Sequence, residues 1–161
     1  MQIGFKKVHP DAQLPKYAHD GDAGMDVYAV EDTILKPYEP TLVKTGLVAD
    51  IPTGYEIQVR PRSGLALKQS ITVLNSPGTV DAGYRNEIGV ILYWAPPLTD
   101  IFQSNRTGGL KLYMSYRRDI IHKGDRIAQL VVAPVTKCEP VEVTEVSETD
   151  RGKGGFGSTG V

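Results

Sequence analysis

Apolar and polar residues alternate over short stretches of the chain, with the two-residue period that turns one face of a β-strand toward a core. The clearest case is YEIQVR, residues 55–60, where the odd-numbered apolar positions share one face. IAQLVVAPV, residues 127–135, and PVEVTEV, residues 140–146, are also predicted to be strands. Because helical periodicity is almost absent, the pattern predicts an all-β protein with one short helix.

Three further stretches refine this prediction. The apolar run IGVILYW, residues 88–94, predicts a strand covered on both faces, and TLVKTGLVADIP, residues 41–52, predicts two strands with a break at Gly46. ITVLN and TVDAGYR, within residues 71–85, are predicted to pair as a hairpin around a Ser-Pro-Gly turn. The helix is predicted to begin near Ser63, with that residue as its N-cap, and to run through GLALK.

Turn-forming residues set the fold class. The 11 prolines and 17 glycines are spread along the chain and separate many short strands, which favours a sandwich, barrel or jelly roll. The 161 residues suffice for one domain with its own core. Residues 95–121 contain Pro-Pro and Gly-Gly pairs. We expect them to form a loop or hairpin inserted at the surface of that domain.

Composition and charge exclude several classes of function. The net charge is −1, with 23% charged residues, so no basic field attracts nucleic acid. The lone Cys138 excludes an internal disulfide and a thiolate zinc cluster. The N-terminal MQIGFKKVHP has no apolar signal region, and no apolar run approaches membrane-spanning length. We therefore expect a cytoplasmic protein that binds neither membranes nor nucleic acid directly.

Two segments are candidates for binding ions. In VRPRSGLALK, a helix start, the Ser63 hydroxyl and the Arg62 cation would together form an anion site, although an ordinary capped turn has the same residues. In DAGMDVYA, Asp22 and Asp26 flank a turn of small residues. Such acids can hold Mg²⁺ directly or through its waters, but turns also favour aspartate for local reasons.

A third segment is a candidate for catalysis. In NSPGTVDAGY, Asn75 precedes the turn, and Asp81 and Tyr84 follow it. A carboxylate beside an aromatic ring suits a base that activates water next to a ring-shaped ligand. The alternative is a surface hairpin with an exposed acid. A fourth segment, KGDRIAQLV, is a turn entering a strand, in which Arg126 is predicted to share a face with Ala128, opposite Gln129.

The chain ends on the glycine-rich stretch RGKGGFGSTG and Val161. Its glycines fit both G-x-G-x-x-G and the opening of a phosphate loop, but each motif must be followed by a helix. The chain is too short after Gly157 to form one. What the tail offers is a cation, a stacking ring and two hydroxyls on a flexible frame, which suits a base and a polyphosphate together.

Five segments, taken in order, resemble the five motifs of the trimeric deoxyuridine triphosphatases, the dUTPases. They are DAGMDVYA, PRSGLA, NSPGTVDAGYRNEIGVIL, GDRIAQLVV and RGKGGFGSTG. The resemblance spans residues 1–161 as one domain and implies a jelly-roll or β-barrel subunit with one short helix. It also implies a homotrimer whose three active sites each combine motifs of more than one chain. The implied activity is dUTP diphosphatase, which forms dUMP and pyrophosphate with Mg²⁺, limits uracil in DNA and supplies dUMP for dTMP synthesis.

The resemblance assigns roles to individual residues. Asp81 would orient and deprotonate the attacking water, Tyr84 would pack on the deoxyribose and exclude a 2′-hydroxyl, and Asp26 would contact the Mg²⁺ shell through water. The implied phosphate-binding residues are Arg62, Ser63, Gly64 and Gln129. The implied uracil-reading residues are Asn75, Gly78, Thr79 and Val80. In a flexible C-terminal lid, residues 150–161, the implied substrate-binding residues are Arg151, Phe156, Gly157, Ser158 and Thr159.

One departure from the family pattern leaves alternatives open. The connection between the third and fourth motifs is longer than in the usual members and resembles that of phage-encoded ones. Residues 95–121 would then be a solvated decoration or a surface for a protein partner. The alternatives to a dUTP diphosphatase are a regulatory protein-binding module that acts through this segment and a dCTP deaminase-like relative. Asn75 and the Asp81-x-x-Tyr84 spacing favour the uracil enzyme.

Overall fold

The computed structural model describes residues 1–97 and 119–155. In that part of the chain the fold consists of short β-strands and a single short helix, as the alternating pattern predicts. The elements in chain order are β1 (Gly4–Lys7), β2 (Gly24–Tyr28), β3 (Thr33–Leu35), β4 (Pro40–Lys44), β5 (Leu47–Asp50), β6 (Tyr55–Arg60), α1 (Ser63–Gln69), β7 (Ile71–Val73), β8 (Gly78–Asp81), β9 (Gly89–Trp94), β10 (Asp119–Ile121) and β11 (Arg126–Pro134).

The strands form four antiparallel sheets. The largest has the order β2-β11-β6-β8 and the next β4-β9-β7, while two-stranded sheets join β1 with β5 and β10 with β3. Among the described strands, no two that follow one another along the chain pair with each other. The chain therefore passes to another sheet at each connection. This crossing is typical of a jelly roll and confirms the predicted fold class.

The core is one cluster of buried apolar side chains to which both larger sheets contribute. In β6 the predicted alternation sends Ile57 and Val59 into this cluster. In β9, Val90 and Leu92 are buried, but Ile91 on the opposite face is only half-buried. Within a single chain, the prediction that β9 is covered on both faces therefore holds for one face alone.

The break between β4 and β5 lies at Gly46, as predicted. The backbone there has φ +67°, and a Cβ atom would lie 2.8 Å from the Cβ atoms of Ala12 and His9 and from Cγ1 of Val30. A left-handed conformation in so crowded a place suits glycine alone. Gly46 is therefore both the turn and a point of close packing between the N-terminal segment and the sheets.

Replacing Gly46 with alanine is expected to lower the free energy of unfolding by roughly 3 kcal/mol, because backbone strain and overpacking add. Gly54 is the matched control, since its φ is +91° but nothing lies within 4 Å of an added Cβ. Gly54→Ala should cost only the backbone strain, roughly 1 kcal/mol. Urea unfolding at equal protein concentrations measures both, and equal losses would contradict the crowding at Gly46.

The predicted hairpin of residues 71–85 is wrong. β7 pairs with β9, and β8 pairs with β6, so the two strands lie in different sheets. The Leu74 N–H even continues the pairing with β9 by donating to the Ile91 carbonyl at 2.9 Å. The reason is that each short strand gains a longer partner in its own sheet. The Ser-Pro-Gly turn thus carries the chain from one large sheet to the other.

The helix begins at Ser63 as predicted, but its N-cap is Arg62, and no side-chain capping bond forms. Arg62 has the extended conformation of a cap residue, with φ −89° and ψ 126°, and its carbonyl accepts the first helical bond from the Ala66 N–H at 3.0 Å. Ser63 is therefore the first helical residue. Within the described residues, no helix has the length and hydropathy needed to cross a membrane.

The strand predicted at residues 140–146 is absent, since residues 135–155 contain no strand in the structure. The apolar positions of the alternating pattern are exposed: Val141 by 73%, Val143 by 59% and Val146 by 84%. A strand requires a partner for its backbone groups, and the described part of the chain offers none here. A row of apolar side chains, the valine row (Val141, Val143 and Val146), is therefore uncovered in a single chain.

A β-bulge corrects the predicted alternation at the start of β11. The register against β2 shifts between Arg126 and Ala128, so Ile127 and Ala128 are both buried. Immediately beyond the bulge, Gln129 is half-buried between the buried Ala128 and Leu130. Arg126 therefore does not share the face of Ala128, because the extra residue changes the direction of its side chain.

Both described ends of the segment 95–121 are bonded to the rest of the fold. The Ala95 N–H donates to the carbonyl of Ser70, the C-cap of α1, at 2.9 Å. At the other end β10 pairs with β3, and Ile121 is buried in the core. Residues 119–121 thus belong to the framework and not to a surface insertion. Residues 98–118 lie outside the described residues, so the loop or hairpin predicted there stays a prediction.

Candidate active site

A cavity of about 200 Å³ lies between β6, β8 and the start of β9. It is lined by Val59, Asn75, Gly78, Thr79, Val80, Asp81, Tyr84, Ile88 and Gly89. The structure thus brings together every candidate residue of the third motif. The remaining three lining residues were not predicted, because Val59 comes from a neighbouring strand and the other two fall in a run that reads as core.

At one wall of the cavity Gly78 makes room for Asn75. A Cβ atom at position 78 would lie 3.0 Å from the Asn75 Nδ2 atom and 3.5 Å from the Val59 Cβ atom. The amide therefore rests against the backbone of β8. An amide in this position can donate and accept hydrogen bonds along the edge of a flat ligand.

The register of β8 exposes Asp81. Val80 pairs with Ile57 and points into the core, so Asp81, opposite Glu56, points out of the sheet at the end of the strand. Within residues 1–97 and 119–155, no hydrogen-bond donor reaches the Asp81 carboxylate. The carboxylate is thus accessible to water, as a general base must be.

Tyr84 is held beside Asp81 by two hydrogen bonds. Its backbone N–H donates to the Asp81 carbonyl at 3.0 Å, and its hydroxyl donates to the Glu87 carbonyl at 3.1 Å. The Arg85 guanidinium closes the same turn by donating to the carbonyls of Ala82 and Tyr84 at 2.6 and 3.0 Å. The ring is thereby fixed at the cavity wall with one face available.

A second group of candidates centres on Asp26, which is only 5% exposed. Its Oδ1 atom accepts from Arg62 Nε at 3.0 Å, and its Oδ2 atom accepts from Arg126 Nη1 at 3.1 Å. Two guanidinium groups share one carboxylate, so this group carries a net positive charge and suits a phosphate. Sequence reasoning assigned no role to Arg126, because the bulge that turns it toward Asp26 leaves no signal in the sequence.

Gln129 lies in the same group. It pairs with Asp26 on one side and with Arg60 on the other, and an added Cβ at Gly24 would lie 3.0 Å from the Gln129 Cβ atom. Ser63 and Gly64 follow Arg62 as the first two residues of α1. The four predicted phosphate-binding residues therefore occur at one end of the β2-β11-β6 part of the sheet.

The cavity and the arginine group lie apart within one chain. Asp81 pairs with Glu56, whereas Gln129 pairs with Arg60, so the two levels are separated by four steps along β6. Four steps span about 13 Å, and the two intervening strand spacings add about 10 Å across the sheet. The Cα atoms of Asp81 and Gln129 are therefore about 16 Å apart. Within a single chain, Asp81 and Gln129 are therefore not in contact.

The described start of the tail is a compact turn. The Arg151 Nε atom donates to the Gly154 carbonyl at 2.9 Å, and the Gly154 N–H donates back to the Arg151 carbonyl at 3.0 Å. The predicted contacts of Phe156, Gly157, Ser158 and Thr159 fall outside the described residues. The lid at residues 150–161 therefore stays a prediction.

A protein-family model described as dUTPase matches residues 10–96 and 97–160 of the chain. The chain belongs to the dUTPase family. The dUTPase relative from Picosynechococcus sp., a deoxyuridine 5′-triphosphate nucleotidohydrolase, is 50% identical over 160 residues that cover 99% of each chain. The two chains therefore have nearly equal lengths. The predicted insertion and its protein partner stay predictions.

Solved structures of dUTPases have the same fold. The dUTPase of Staphylococcus bacteriophage 80alpha with dUpNHpp is 28% identical, with a TM-score of 0.80 and 99% coverage of both chains. A mutant dUTPase from phage phi11 of S. aureus, which reveals the coordination of a structural Mg(II) ion, is 25% identical, with a TM-score of 0.73. That match covers 90% of this chain and 98% of the phage chain.

Proposed function

We propose that the protein is a dUTP diphosphatase, which hydrolyses dUTP to dUMP and pyrophosphate. The observation that carries the proposal is the cavity that gathers Asn75, Gly78, Asp81 and Tyr84. Membership of the dUTPase family supports it, as does the 50% identical relative named for this activity. In a cell the reaction would limit uracil in DNA and supply dUMP for dTMP synthesis.

In the proposed mechanism Asp81 is the general base. Its exposed carboxylate orients a water molecule and takes a proton from it as the water oxygen bonds to the α-phosphorus. The bond from that phosphorus to the bridging oxygen breaks, and the electron pair leaves with pyrophosphate. The residue contributes by position and by basicity, without a covalent intermediate.

The cavity binds the nucleoside of dUTP and selects it from related nucleosides. The Asn75 amide and the backbone of residues 78–80 bind the edge of uracil, where cytosine presents the wrong donor and acceptor pattern. A mismatch of polar groups discriminates more strongly than an added methyl does. Tyr84, fixed by its two hydrogen bonds, packs on the deoxyribose and leaves no room for a 2′-hydroxyl.

The arginine group binds the phosphates. Arg62, Ser63, Gly64 and Gln129 form this site in the proposal, and Arg126 joins them because it shares the Asp26 carboxylate with Arg62. The opposed charge of Asp26 holds the two guanidinium groups in fixed positions. Binding of a polyphosphate there would replace water with charge-assisted hydrogen bonds.

The chain's own residues fit a Mg²⁺ that is held chiefly by the substrate. No group of three or more acidic or histidine side chains able to hold a metal occurs among the described residues. Each oxygen of Asp26 already accepts from an arginine, so this carboxylate suits a contact through water and not a direct bond. Mg²⁺ in nucleotide sites is usually bound in this way. When bound, the ion offsets the charge that develops on the phosphate oxygens.

A homotrimer accounts for the separation of the two groups. A second copy could supply its arginine group to the cavity of the first. The separation of about 16 Å between Asp81 and Gln129 within one chain would then not prevent the two groups from acting on one substrate. The valine row supports association, because three largely exposed apolar side chains in one row need a cover. In this proposal the tail, residues 150–161, closes over the bound dUTP as a lid, and the whole chain acts as one domain.

The direct test is pyrophosphate release from dUTP in the presence of Mg²⁺. We expect UTP and dCTP to be hydrolysed with kcat/KM values at least about 1,000-fold lower, because each leaves a polar group unpaired or meets a blocked space. Chelation of Mg²⁺ with EDTA should suppress turnover, and added Mg²⁺ should restore it. Ammonia release from dCTP would instead identify a deaminase, and the absence of pyrophosphate from dUTP would contradict the proposal.

A further inference from the structure

We propose that Glu87 is a positioning residue, which sets the discrimination between deoxyribose and ribose by fixing the place of Tyr84. The inference rests on the proposed function, in which the Tyr84 ring packs on the deoxyribose. Glu87 does not line the cavity and acts only through the tyrosine.

Two hydrogen bonds connect the tyrosine to the framework through Glu87. The Tyr84 hydroxyl donates to the Glu87 backbone carbonyl at 3.1 Å. The Glu87 Oε1 atom accepts from the Gly46 backbone N–H at 2.7 Å, a short contact to a charged acceptor. The Glu87 side chain therefore tethers to the framework the residue whose carbonyl holds the ring.

The anchor at Gly46 is rigid. Its carbonyl accepts from the Val8 N–H at 2.8 Å, and its Cα is so closely surrounded that a Cβ would meet three carbons at 2.8 Å. The next residue, Leu47, accepts from the Ile88 N–H at 2.7 Å. The peptide group that carries the Glu87 carbonyl is thus held at its N–H, and the Glu87 side chain adds a second tether to the same part of the framework.

The other side-chain connection from this turn to the framework is weak. Arg85 reaches Asp50 at 3.3 Å, but the two side chains are 57% and 82% exposed. Ion pairs of this exposure contribute little, because water and salt screen them. The remaining bonds of Arg85 go to Ala82 and Tyr84 inside the turn itself. The bond between Glu87 and Gly46 is therefore the partly buried side-chain connection that, together with the backbone bond of Ile88 to Leu47, joins the turn to the framework.

A loosened ring would change selectivity more than turnover. The Tyr84 ring excludes a 2′-hydroxyl only while it stays close to the sugar, and a small displacement opens that space. Asp81 lies on β8, whose backbone is held by β6, so the base keeps its place when the turn moves. The ratio of kcat/KM for dUTP to kcat/KM for UTP therefore reports on the position of the ring.

The experiment compares this ratio in wild type, Glu87→Ala and Glu87→Gln. We expect Glu87→Ala to lower the ratio about tenfold, because a hydrogen bond to a charged acceptor is lost. Glu87→Gln should stay within about twofold of wild type, since its amide oxygen still accepts from the Gly46 N–H. Leu35→Ala, a substitution of a buried β3 residue, is the control for general destabilisation and should leave the ratio unchanged.

Three results would overturn the inference: an unchanged ratio in Glu87→Ala, an equal fall in Leu35→Ala, or an equal fall in Glu87→Gln. If Glu87→Ala does not fold, Glu87→Asp replaces it, because its side chain is one methylene too short for the same contact. A wild-type protein that hydrolyses no dUTP would overturn the proposed function itself. An active wild type with an unchanged ratio in the variant would overturn the role of Glu87 alone.

Discussion

Replacing Asp81 with asparagine is expected to lower kcat for dUTP hydrolysis by about 1,000-fold, the contribution typical of a positioned general base. The amide has the size of the carboxylate but cannot take a proton from water. KM should change little, because the substitution keeps the size of the side chain and leaves the backbone pairing of β8 with β6 unchanged. Pyrophosphate release at saturating dUTP and Mg²⁺ measures the effect.

Glu56→Gln is the matched control for this substitution. Glu56 stands opposite Asp81 in the β6–β8 ladder and presents a second carboxylate on the same face of the sheet. Its Oε1 atom accepts from Gln58 Nε2 at 2.6 Å, and an amide oxygen can accept the same bond. We expect turnover within about twofold of wild type. Wild-type turnover in Asp81→Asn would refute the mechanism, and an equal fall in Glu56→Gln would point to the charge of this face instead of a base.

Removal of residues 151–161 is expected to lower kcat on the order of 100-fold while the protein stays folded and oligomeric. The hydrogen bonds of residues 151–155 stay within the tail or go to Thr149, so removing these residues breaks no hydrogen bond to the core. Turnover should fall because the lid no longer excludes water or orients the phosphates. Steady-state kinetics, thermal unfolding and light scattering together test the expectation.

Two point substitutions test whether a specific side chain of the tail contributes to turnover, apart from the presence of the tail as a whole. Arg151→Ala and Lys153→Ala each remove one positive charge from the same turn, but only Arg151 is predicted to bind the substrate. We expect about a tenfold loss of kcat/KM for Arg151→Ala, as for a lost hydrogen bond between charged groups. Lys153→Ala should stay within about twofold. Normal turnover by the truncated protein would show that the tail is only a linker.

The alternation of apolar and polar residues correctly predicted strands that pair with another strand of the same chain. It failed where the described part of the chain offers no such partner. β6 and residues 140–146 have similar alternation, yet only β6 is a strand, because it lies between β11 and β8. Pairing is a property of distant segments, so the hairpin between β7 and β8 was also mispredicted. A short apolar strand does not specify which sheet it joins.

The cavity residues were predictable because the third motif is contiguous in sequence and its turn folds on itself. The contacts that hold the cavity in place were not. Glu87 and Gly46 are 41 residues apart, and their bond depends on a turn whose crowding comes from two other segments. Arg126 was missed for a similar reason, since a one-residue bulge decides that its side chain meets Asp26.

The order of the strands in the largest sheet has a consequence for synthesis on the ribosome. β11 is the last strand in the described part of the chain, and it lies between β2 and β6. Until β11 has been synthesised, β2 and β6 of the nascent chain have no strand between them, even after both have left the exit tunnel. Sheets closed by such distant pairing form slowly, and unpaired edges invite aggregation meanwhile. A message truncated before residue 126 would therefore yield a fragment with exposed strand edges that also lacks Arg126 and Gln129.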